Sequence, residues 1–329
     1  MAMRKAARAV DTAERKLVNV RGAISKAGFP YRAPSVPGGV EVLPKKGTTG
    51  VDFDTDWARG PGSKVVRRLI VSGPLKLVVR LMADPEIVGI DRLADLKSLD
   101  DTPSLIFVAN HQSHLDAGLM LTSIPLPWRH KIAVGAAADY FFGTRLTGTM
   151  SALALGAFPI ERTSVNRRSS DFAADLIADG WSLLIFPEGG RSPDGWGQPF
   201  KGGAAYLAER CQVAVVPVHI DGAGAIWGKG AKRLKPGRTK VSFGSPLRVA
   251  EGENIRRFGE RIERSVAELG DEAITDFWTA RQRAAAGKTP GLGGPASTGW
   301  RRAWALTEQR AKGKAGQRRR QKRRWPNMD

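Results

Sequence analysis

Short apolar runs alternate along the chain with longer segments in which apolar residues recur at helical spacing. The apolar runs predict buried strands at 86–90, 105–109, 131–135, 153–160, 181–186, 213–220 and 240–247. Helices are predicted from Ala117, from Tyr140, and over 169–179, 202–210 and 252–286. Strands that alternate with helices indicate an α/β fold, with a mostly parallel sheet flanked by helices. Functional sites of such folds gather at the carboxyl ends of the strands.

The segment 63–83 mixes apolar residues with Lys and Arg at helix-like intervals and is interrupted by Gly73-Pro74. This pattern predicts a kinked amphipathic helix over 64–83. Two interpretations fit the pattern. The helix either anchors the protein at a membrane surface, or it packs on the core with its basic side in water. Both can hold in part.

Composition divides the chain into three parts. Residues 1–62 form a basic N-terminal segment, with a polar helix predicted over 1–26, followed by a linker rich in Pro and Gly. Residues 63–286 carry the strands and helices and form the folded domain. Residues 287–329 are a basic low-complexity tail, in which Glu308 is the only acidic residue before Asp329. We predict that this basic tail is disordered.

The formal net charge of +20 predicts an anionic partner, which is a phospholipid surface, nucleic acid or acidic small molecules. The single cysteine, Cys211, excludes a disulfide within one chain and suits a reducing cytoplasm. The basic N-terminus lacks the apolar centre of a signal peptide, and no stretch approaches about 18 uninterrupted apolar residues. If the protein works on a membrane, we expect it to lie peripherally on the cytoplasmic side.

A histidine and an aspartate lie at a predicted strand-to-helix turn, Asn110-His111-Gln112-Ser113-His114-Leu115-Asp116. Such a turn brings His111 and Asp116 together, whereas one continuous helix would place them about 140° apart. A carboxylate on one ring nitrogen fixes the tautomer and leaves the other nitrogen free to take a proton. No Ser or Cys nucleophile accompanies the pair, so the nucleophile would be a substrate hydroxyl. Alternatively, Ser113 and Asp116 form a helix capping box, and His111 and His114 are ordinary surface or core residues.

Four short blocks follow one another along the chain. The first block is His111 with Asp116, with four residues between them. The others are Gly156-Ala157-Phe158-Pro159-Ile160-Glu161-Arg162, Phe186-Pro187-Glu188-Gly189-Gly190-Arg191-Ser192 and Val215-Val216-Pro217-Val218. In this order the blocks resemble those of the glycerolipid acyltransferases, the family of the lysophosphatidic acid acyltransferases, and the resemblance covers residues 65–250. One departure is Gly190, where the family more often has Thr or Ser and thus a side-chain hydroxyl.

The resemblance implies a glycerolipid-acyltransferase-like fold for the domain 63–286 and roles for single residues. His111 is the general base and Asp116 its partner. The implied substrate-binding residues are Arg162, Glu188, Gly189, Arg191, Ser113 and Pro217. The two arginines match a phosphate, unless they are surface charges or pair with a neighbouring Glu161 or Glu188. Glu188 holds an acceptor hydroxyl or fixes Arg191, Gly189 lets the backbone come close, and Pro217 shapes the site.

The implied activity moves a fatty acyl chain from acyl-CoA or acyl-carrier protein to the free hydroxyl of 1-acyl-sn-glycerol 3-phosphate, in phospholipid biosynthesis. An anionic membrane surface is then an expected partner, and Tyr140-Phe141-Phe142 either line an acyl-chain pocket or pack in the core. No cofactor or metal is expected, since four His and one Cys form no cluster at ligand spacing. Two alternatives stay open. One is another acceptor, such as glycerol 3-phosphate or another lysolipid, and the other is a non-enzymatic basic protein that binds membranes or nucleic acid through its tail.

Overall fold

The computed structural model describes residues 50, 53–97, 103–160, 167–192, 194–231 and 233–294. Within these residues the strands are β1 (Pro85–Val88), β2 (Leu105–Ala109), β3 (Ile132–Ala137), β4 (Ala157–Ile160), β5 (Ser182–Ile185), β6 (Ala214–Asp221) and β7 (Thr239–Phe243). The α-helices are α1 (Pro61–Ile70), α2 (Lys76–Ala83), α3 (Ala94–Lys97), α4 (Asp116–Ser123), α5 (Ala138–Phe141), α6 (Arg145–Leu155), α7 (Arg167–Ala178), α8 (Gly203–Cys211), α9 (Ala223–Trp227), α10 (Ile255–Ile274) and α11 (Phe277–Ala285). Short 3-10 helices lie at Asp56–Arg59, Ile90–Leu93 and Trp128–Lys131.

The strands form one sheet in the order β1-β7-β6-β2-β5-β3-β4. From β6 to β4 every pairing is parallel. β7 is antiparallel to β6, and β1 is parallel to β7. The predicted fold class, a mostly parallel α/β sheet flanked by helices, is therefore confirmed.

Helices cover both faces of the sheet, and each face has its own core. The fully buried strand β2 shows the division, because its residues alternate between the two faces. Leu105, Phe107 and Ala109 pack with residues of α2 and α4. Ile106 and Val108 pack with residues of α7, α8 and α10. A strand that is buried on both faces is a continuous apolar run in the sequence, which is why β2 is predictable from hydrophobicity alone.

One predicted strand begins later than expected. The apolar run over 153–160 predicts a single strand, but residues 153–155 complete helix α6. Gly156 ends that helix with a left-handed φ of 65°, and β4 starts at Ala157. The apolar run hides this change because both the helix end and the strand are apolar.

The predicted helix over 252–286 is in fact two helices. α10 ends at Ile274, and the side chain of Asp276 accepts hydrogen bonds from the N–H groups of Trp278 and Thr279. These bonds satisfy the first N–H groups of α11, so Asp276 starts a new helix.

The predicted amphipathic helix over 64–83 is present as α1, a π-helical segment (Val71–Leu75) that contains Pro74, and α2. The wider turn of the π-helical segment accommodates Pro74, which has no backbone N–H to donate. Val71, Val79 and Ala83 are buried in the core. The opposite side presents an apolar row that is between 42% and 68% exposed, formed by Val65, Val66, Leu69, Leu77, Val78 and Leu81. Each interpretation of this segment therefore has support in part.

Within the described ranges, no helix has the length and apolar character that crossing a bilayer requires. Helix α1 is instead tied to the domain through Arg67, which is 6% exposed. Its guanidinium donates to the carbonyls of Ala58, Ala152 and Leu153 at 2.7 to 2.9 Å. Burial and the nearby charge of Arg59 lower the pKa of Arg67 to about 10. The exposed apolar row therefore sits on a helix that is firmly attached to the domain.

Some predictions concern residues that the structure does not describe. These are the helix over 1–26, most of the linker, Glu161 and Arg162, and the basic tail from residue 295. The end of the predicted linker is described, and Phe53 packs there on Phe142 with ring centroids 5.3 Å apart.

Candidate active site

The ends of three adjacent strands bring most of the candidate residues together. β2 lies between β5 and β6, so the segments that follow these strands are neighbours. His111 follows β2, residues 186–192 follow β5, and α9 follows β6. The N–H of Ser192 donates to the carbonyl of His111 at 2.8 Å, and the N–H of His114 donates to the carbonyl of Trp227 at 3.2 Å. These bonds tie the three segments into one site at the carboxyl edge of the strands.

The pair at the centre of the site is His111 and Asp116, whose Nδ1 and Oδ2 atoms are 2.8 Å apart. The aspartate side chain is fully buried, and that of the histidine is 21% exposed. A carboxylate at Nδ1 favours the tautomer with hydrogen on Nδ1, which leaves Nε2 as the basic nitrogen. The imidazole also stacks on Phe186, with centroids 4.4 Å and planes 25° apart. The hydrogen bond to Asp116 and the stacking on Phe186 together fix the orientation of the imidazole ring.

The same aspartate oxygen organises the turn before helix α4. Oδ2 of Asp116 also accepts hydrogen bonds from the N–H groups of Gln112 at 2.7 Å and Ser113 at 2.8 Å. Oδ1 is buried without a hydrogen-bond partner among the described residues. Asp116 therefore stabilises the helix start and orients the histidine at once, so the structural and the chemical interpretations do not exclude each other.

The capping-box alternative for Ser113 and Asp116 is correct in half. The carboxylate of Asp116 accepts the N–H of Ser113, but the N-cap residue of the helix is Leu115, which makes no side-chain cap bond. The hydroxyl of Ser113 donates to the carbonyl of Trp227 at 3.0 Å and accepts from the N–H of Leu115 at 3.2 Å. Ser113 is fully buried. Its hydroxyl therefore holds α9 against the turn, and its contact with substrate stays a prediction.

Glu188 fixes the backbone of the central histidine. It is 4% exposed, and its Oε1 accepts the N–H of His111 at 2.9 Å. Its Oε2 accepts the N–H of Gln198 at 2.9 Å. Neither bond is the contact with acceptor or with Arg191 that the resemblance implies, and those contacts stay predictions. The third block thus holds the first block in place.

Two further residues of the third block are placed beside Glu188. Gly189 has a left-handed φ of 68°, and a Cβ there would lie 2.6 Å from Nζ of Lys201, so the turn requires glycine. Arg191 is half-buried. In the part of the chain that the structure describes, no ion pair includes its guanidinium.

The pKa of His114 shows that Arg191 lies close to both His111 and His114. Burial, the positive charge of Arg191 and the neighbouring imidazole of His111 lower the pKa of His114, while the carboxylate of Asp116 raises it. The ring of His114 is 4.7 Å from that of Trp227 and 6.4 Å from that of Tyr140. His114 is therefore a neutral aromatic wall of the site near neutral pH.

The remaining predicted site residues lie elsewhere or outside the described part. Pro217 is buried within β6, where it pairs with Val108, and its ring faces Gly244. Arg162 is not described. Phe142 is fully buried, so core packing is the correct alternative for this residue, whereas Tyr140 is 55% exposed at the rim of the site.

Two contributors to the site were not predicted from the sequence. The side chain of Asn110 exchanges two hydrogen bonds with the backbone of Ile220, at 2.9 and 2.7 Å, and so fixes the end of β2 to β6. Gln198 donates through its side chain to the carbonyls of Gly190 and Arg191 at 3.0 and 3.2 Å. A buried Asn at a strand end is a recognisable signal, but Gln198 lies outside every block.

A metal centre is not formed by the described residues, among which no group of three or more His, Cys, Asp or Glu is arranged to hold an ion. The site combines a histidine, a buried carboxylate and an arginine.

Comparison with known proteins extends the resemblance. A family model described as "Acyltransferase" matches residues 89–221, a range that contains every predicted site residue. The 1-acyl-sn-glycerol-3-phosphate acyltransferase of Cocos nucifera is 30% identical over 162 residues, which are 48% of this chain and 51% of that protein. The human 1-acyl-sn-glycerol-3-phosphate acyltransferase alpha is 27% identical over 182 residues, 52% of this chain and 60% of that protein. The chain thus spans about half the length of the curated relatives it matches.

A solved structure is also similar, that of the 1-acyl-sn-glycerophosphate (LPA) acyltransferase PlsC from Thermotoga maritima. It is 26% identical in sequence, with a TM-score of 0.47, over 64% of this chain and 83% of that one. The family match and the curated relatives confirm the resemblance that the four blocks indicate.

Proposed function

We propose that this chain, whose residues 89–221 match the family model described as "Acyltransferase", moves a fatty acyl chain from a thioester donor to the free hydroxyl of a lysophospholipid. The proposed acceptor is 1-acyl-sn-glycerol 3-phosphate, the substrate that the names of the relatives contain. The proposed donor is acyl-CoA or acyl-carrier protein. The observation that carries the proposal is the 2.8 Å contact between Nδ1 of His111 and the buried Asp116, which leaves Nε2 as a base.

In this proposal the acceptor hydroxyl is the nucleophile. Its oxygen attacks the thioester carbonyl while Nε2 of His111 takes its proton, and Asp116 stabilises the imidazolium that forms. The tetrahedral oxyanion then collapses, the carbon–sulfur bond breaks, and the proton passes from His111 to the departing thiolate. The products are an ester and a free thiol. The backbone N–H groups of Gly190 and Arg191, which have no acceptor among the described residues, are the proposed oxyanion donors.

Arg191 is the proposed anchor for the acceptor phosphate. Its lack of an ion pair in the described part of the chain, and its effect on the pKa of His114, support a free positive charge close to the base. A guanidinium binds a phosphate with two parallel hydrogen bonds. Arg162 is the second proposed anchor, and it rests on the motif resemblance alone.

A membrane surface is the proposed partner, because acceptor and acyl chain are both lipids. The exposed apolar row on α1 and α2 supports this partner, and Lys64, Arg68, Lys76 and Arg80 flank the row in sequence. Basic residues near an anionic leaflet contribute about 1 kcal/mol each and are screened by salt, whereas apolar insertion is not.

The membrane contact is tested by flotation with anionic vesicles across a salt series. Replacement of Leu69, Leu77 and Leu81 by Ser removes exposed side chains only, so we expect a folded protein that loses the binding persisting at high salt. Ile274→Ser is the matched control, since Ile274 is 81% exposed on α10. If the triple variant and the control bind vesicles equally at high salt, the exposed apolar row does not contact the membrane.

The activity is tested with purified full-length protein, a panel of lysolipids and glycerol 3-phosphate, and acyl-CoA or acyl-carrier protein as donor. We expect ester formation on 1-acyl-sn-glycerol 3-phosphate. His111→Ala should lower turnover by about two to four orders of magnitude. If no acceptor is acylated from either donor, the proposal fails, and binding of nucleic acid by the basic tail becomes the function to test.

A further inference from the structure

The residues that follow α11 return to the candidate active site. Gly287 and Lys288 close the end of α11, with N–H bonds to the carbonyls of Ala284 and Arg283. Residues 292–294, here termed the strap, then reach the loop 194–198, here termed the rim loop. The N–H of Gly197 donates to the carbonyl of Leu292 at 2.8 Å. The strap is therefore bonded to a loop that lies ten residues or fewer after Glu188 in the sequence.

The contact between strap and rim loop is close on both sides. A Cβ at Gly294 would lie 2.4 Å from Cδ2 of Trp196, and a Cβ at Gly197 would lie 2.8 Å from Cβ of Leu292. Gly294 also has a left-handed φ of 78°. Space and backbone conformation thus both require glycine at position 294. Where the strap packs on the rim loop, neither Gly197 nor Gly294 has room for a side chain.

The helix that leads into the strap is itself fixed. Arg283 of α11 pairs at 2.7 Å with Asp271 of α10, which is 5% exposed. A second ion pair joins the two helices, since the guanidinium of Arg281 on α11 lies 3.6 Å from the carboxylate of Glu268 on α10. Because α10 packs on the sheet through Phe258, Ile262 and Val266, the strap is anchored to the core at its start and to the rim loop at its end.

The rim loop in turn reaches the central histidine by two routes. The N–H of Gln198 binds Oε2 of Glu188, whose Oε1 accepts the N–H of His111, each at 2.9 Å. The side chain of Gln112, the residue after His111, donates to the carbonyl of Gly195 at 3.3 Å. A displacement of the rim loop therefore moves either the carboxylate that holds His111 or the residue next to it.

We propose that the strap is a positioning element of the active site, which holds the rim loop so that Glu188 and Gln112 keep His111 in place. No strap residue is assigned a contact with substrate. Displacement of a catalytic group by about 1 Å can cost about 10²-fold in rate, so the loss of the strap contact should lower kcat and leave the acceptor KM nearly unchanged. This expectation for turnover rests on the proposed acyltransferase function.

Full-length Gly294→Ala protein tests the inference, with Gly291→Ala as matched control, because a Cβ at Gly291 has no atom within 4 Å. Amide hydrogen exchange is measured by mass spectrometry in the peptides that cover 110–113 and 186–198. We expect exchange there to be about tenfold faster in Gly294→Ala only. We expect kcat to fall about tenfold in the same variant, at an acceptor KM within about twofold of that of the unchanged protein.

A second pair of variants approaches the contact from the rim loop. Gly197→Ala places a Cβ against that of Leu292 and should reproduce the faster exchange. Leu292→Gly in the same chain removes the obstructing atom and should restore protection in part. This rescue separates a positional effect from general loss of stability, for which the thermal midpoint is the control.

Equal exchange in Gly294→Ala and Gly291→Ala would overturn the inference. Faster exchange with an unchanged kcat would overturn it as well, because a positioning element must act on the base. If the unchanged protein transfers no acyl group at all, the proposed function fails, and the exchange data alone then decide whether the strap holds His111.

Discussion

Replacement of Asp116 by Asn separates the charge of this carboxylate from its geometry. One oxygen, Oδ2, accepts three N–H groups, from the ring of His111 and from the backbones of Gln112 and Ser113. An amide that placed its NH2 group there would leave two backbone N–H groups without an acceptor, at about 1–3 kcal/mol each. The amide oxygen should therefore take the Oδ2 position, and the amide nitrogen the position of Oδ1, which has no hydrogen-bond partner among the described residues.

This orientation keeps the tautomer of His111 and removes only the negative charge. The lost interaction is the attraction between the carboxylate and the imidazolium that forms in the proposed transfer. At about 4 Å and an effective dielectric constant of about 20 it amounts to about 4 kcal/mol, which is an upper value because His111 is partly in solvent. A hydrogen bond to a charged group exceeds a neutral one by about 1 kcal/mol, which is a lower value. Since about 1.4 kcal/mol corresponds to tenfold in rate, we expect kcat to fall about 10²-fold.

The assay compares kcat at saturating acceptor and donor for the unchanged protein, Asp116→Asn, Asp116→Ala and His111→Ala, with thermal unfolding as the folding control. We expect Asp116→Asn to retain more activity than Asp116→Ala, which loses both charge and geometry. Full activity in Asp116→Asn would show that this carboxylate has no part in the transfer. A loss in Asp116→Asn as large as that in His111→Ala would show that the amide is reversed and the tautomer lost.

Three further outcomes follow from the structure. Glu188→Gln should lower kcat without raising the acceptor KM, since an amide cannot accept the N–H groups of both His111 and Gln198; a rise in KM alone would assign Glu188 to substrate binding. Arg191→Ala should raise the acceptor KM by about 10- to 100-fold, the range that corresponds to a hydrogen bond to a charged group, and Arg191→Lys should recover part of this; steady-state kinetics at varied acceptor and fixed donor would reveal an unchanged KM if the anchor is elsewhere. Burial lowers the pKa of His219 from 6.5 to about 4, so the unfolded state binds its proton first and stability should fall by about 3 kcal/mol as the pH drops from about 6.5 to 4. Urea unfolding of the unchanged protein and of His219→Leu, measured between about pH 6.5 and 4, tests this expectation. An equal loss of stability in both proteins would show that His219 is not its cause.

The parts of the fold that the sequence predicts are those in which local pattern and final structure coincide. Strands β2, β5 and β6 are buried on both faces, so each is dominated by apolar residues, without interruption in β2 and with Ser182 in β5 and His219 in β6 as the buried exceptions. The pairing of His111 with Asp116 was also predictable, because the two residues are five apart and a turn joins them. Boundaries were less accurate where neighbouring elements share one character, as in the apolar junction between α6 and β4.

The contacts that complete the site depend on the order of strands in the sheet, which no local pattern contains. Glu188 and His111 are 77 residues apart in the chain and meet because β5 lies beside β2. Asn110 and Ile220 are 110 residues apart and meet because β6 lies on the other side. The strap is still harder to predict, because residues 292–294 lie in a stretch whose composition indicates a basic tail. Its only local signal is glycine at positions 291, 293 and 294.

Two buried carboxylates hold His111, and they do so in different ways. Asp116 collects three N–H groups on a single oxygen and fixes the ring, whereas Glu188 uses one oxygen for the backbone of His111 and the other for the rim loop. A buried carboxylate is stable only when it accepts such hydrogen bonds, so each of these residues depends on the segments that donate to it. The position of the imidazole is therefore determined by the turn after β2, the loop after β5 and the strap together. It follows that substitutions in the rim loop or the strap should alter the rate of transfer although none of these residues is proposed to touch the substrate.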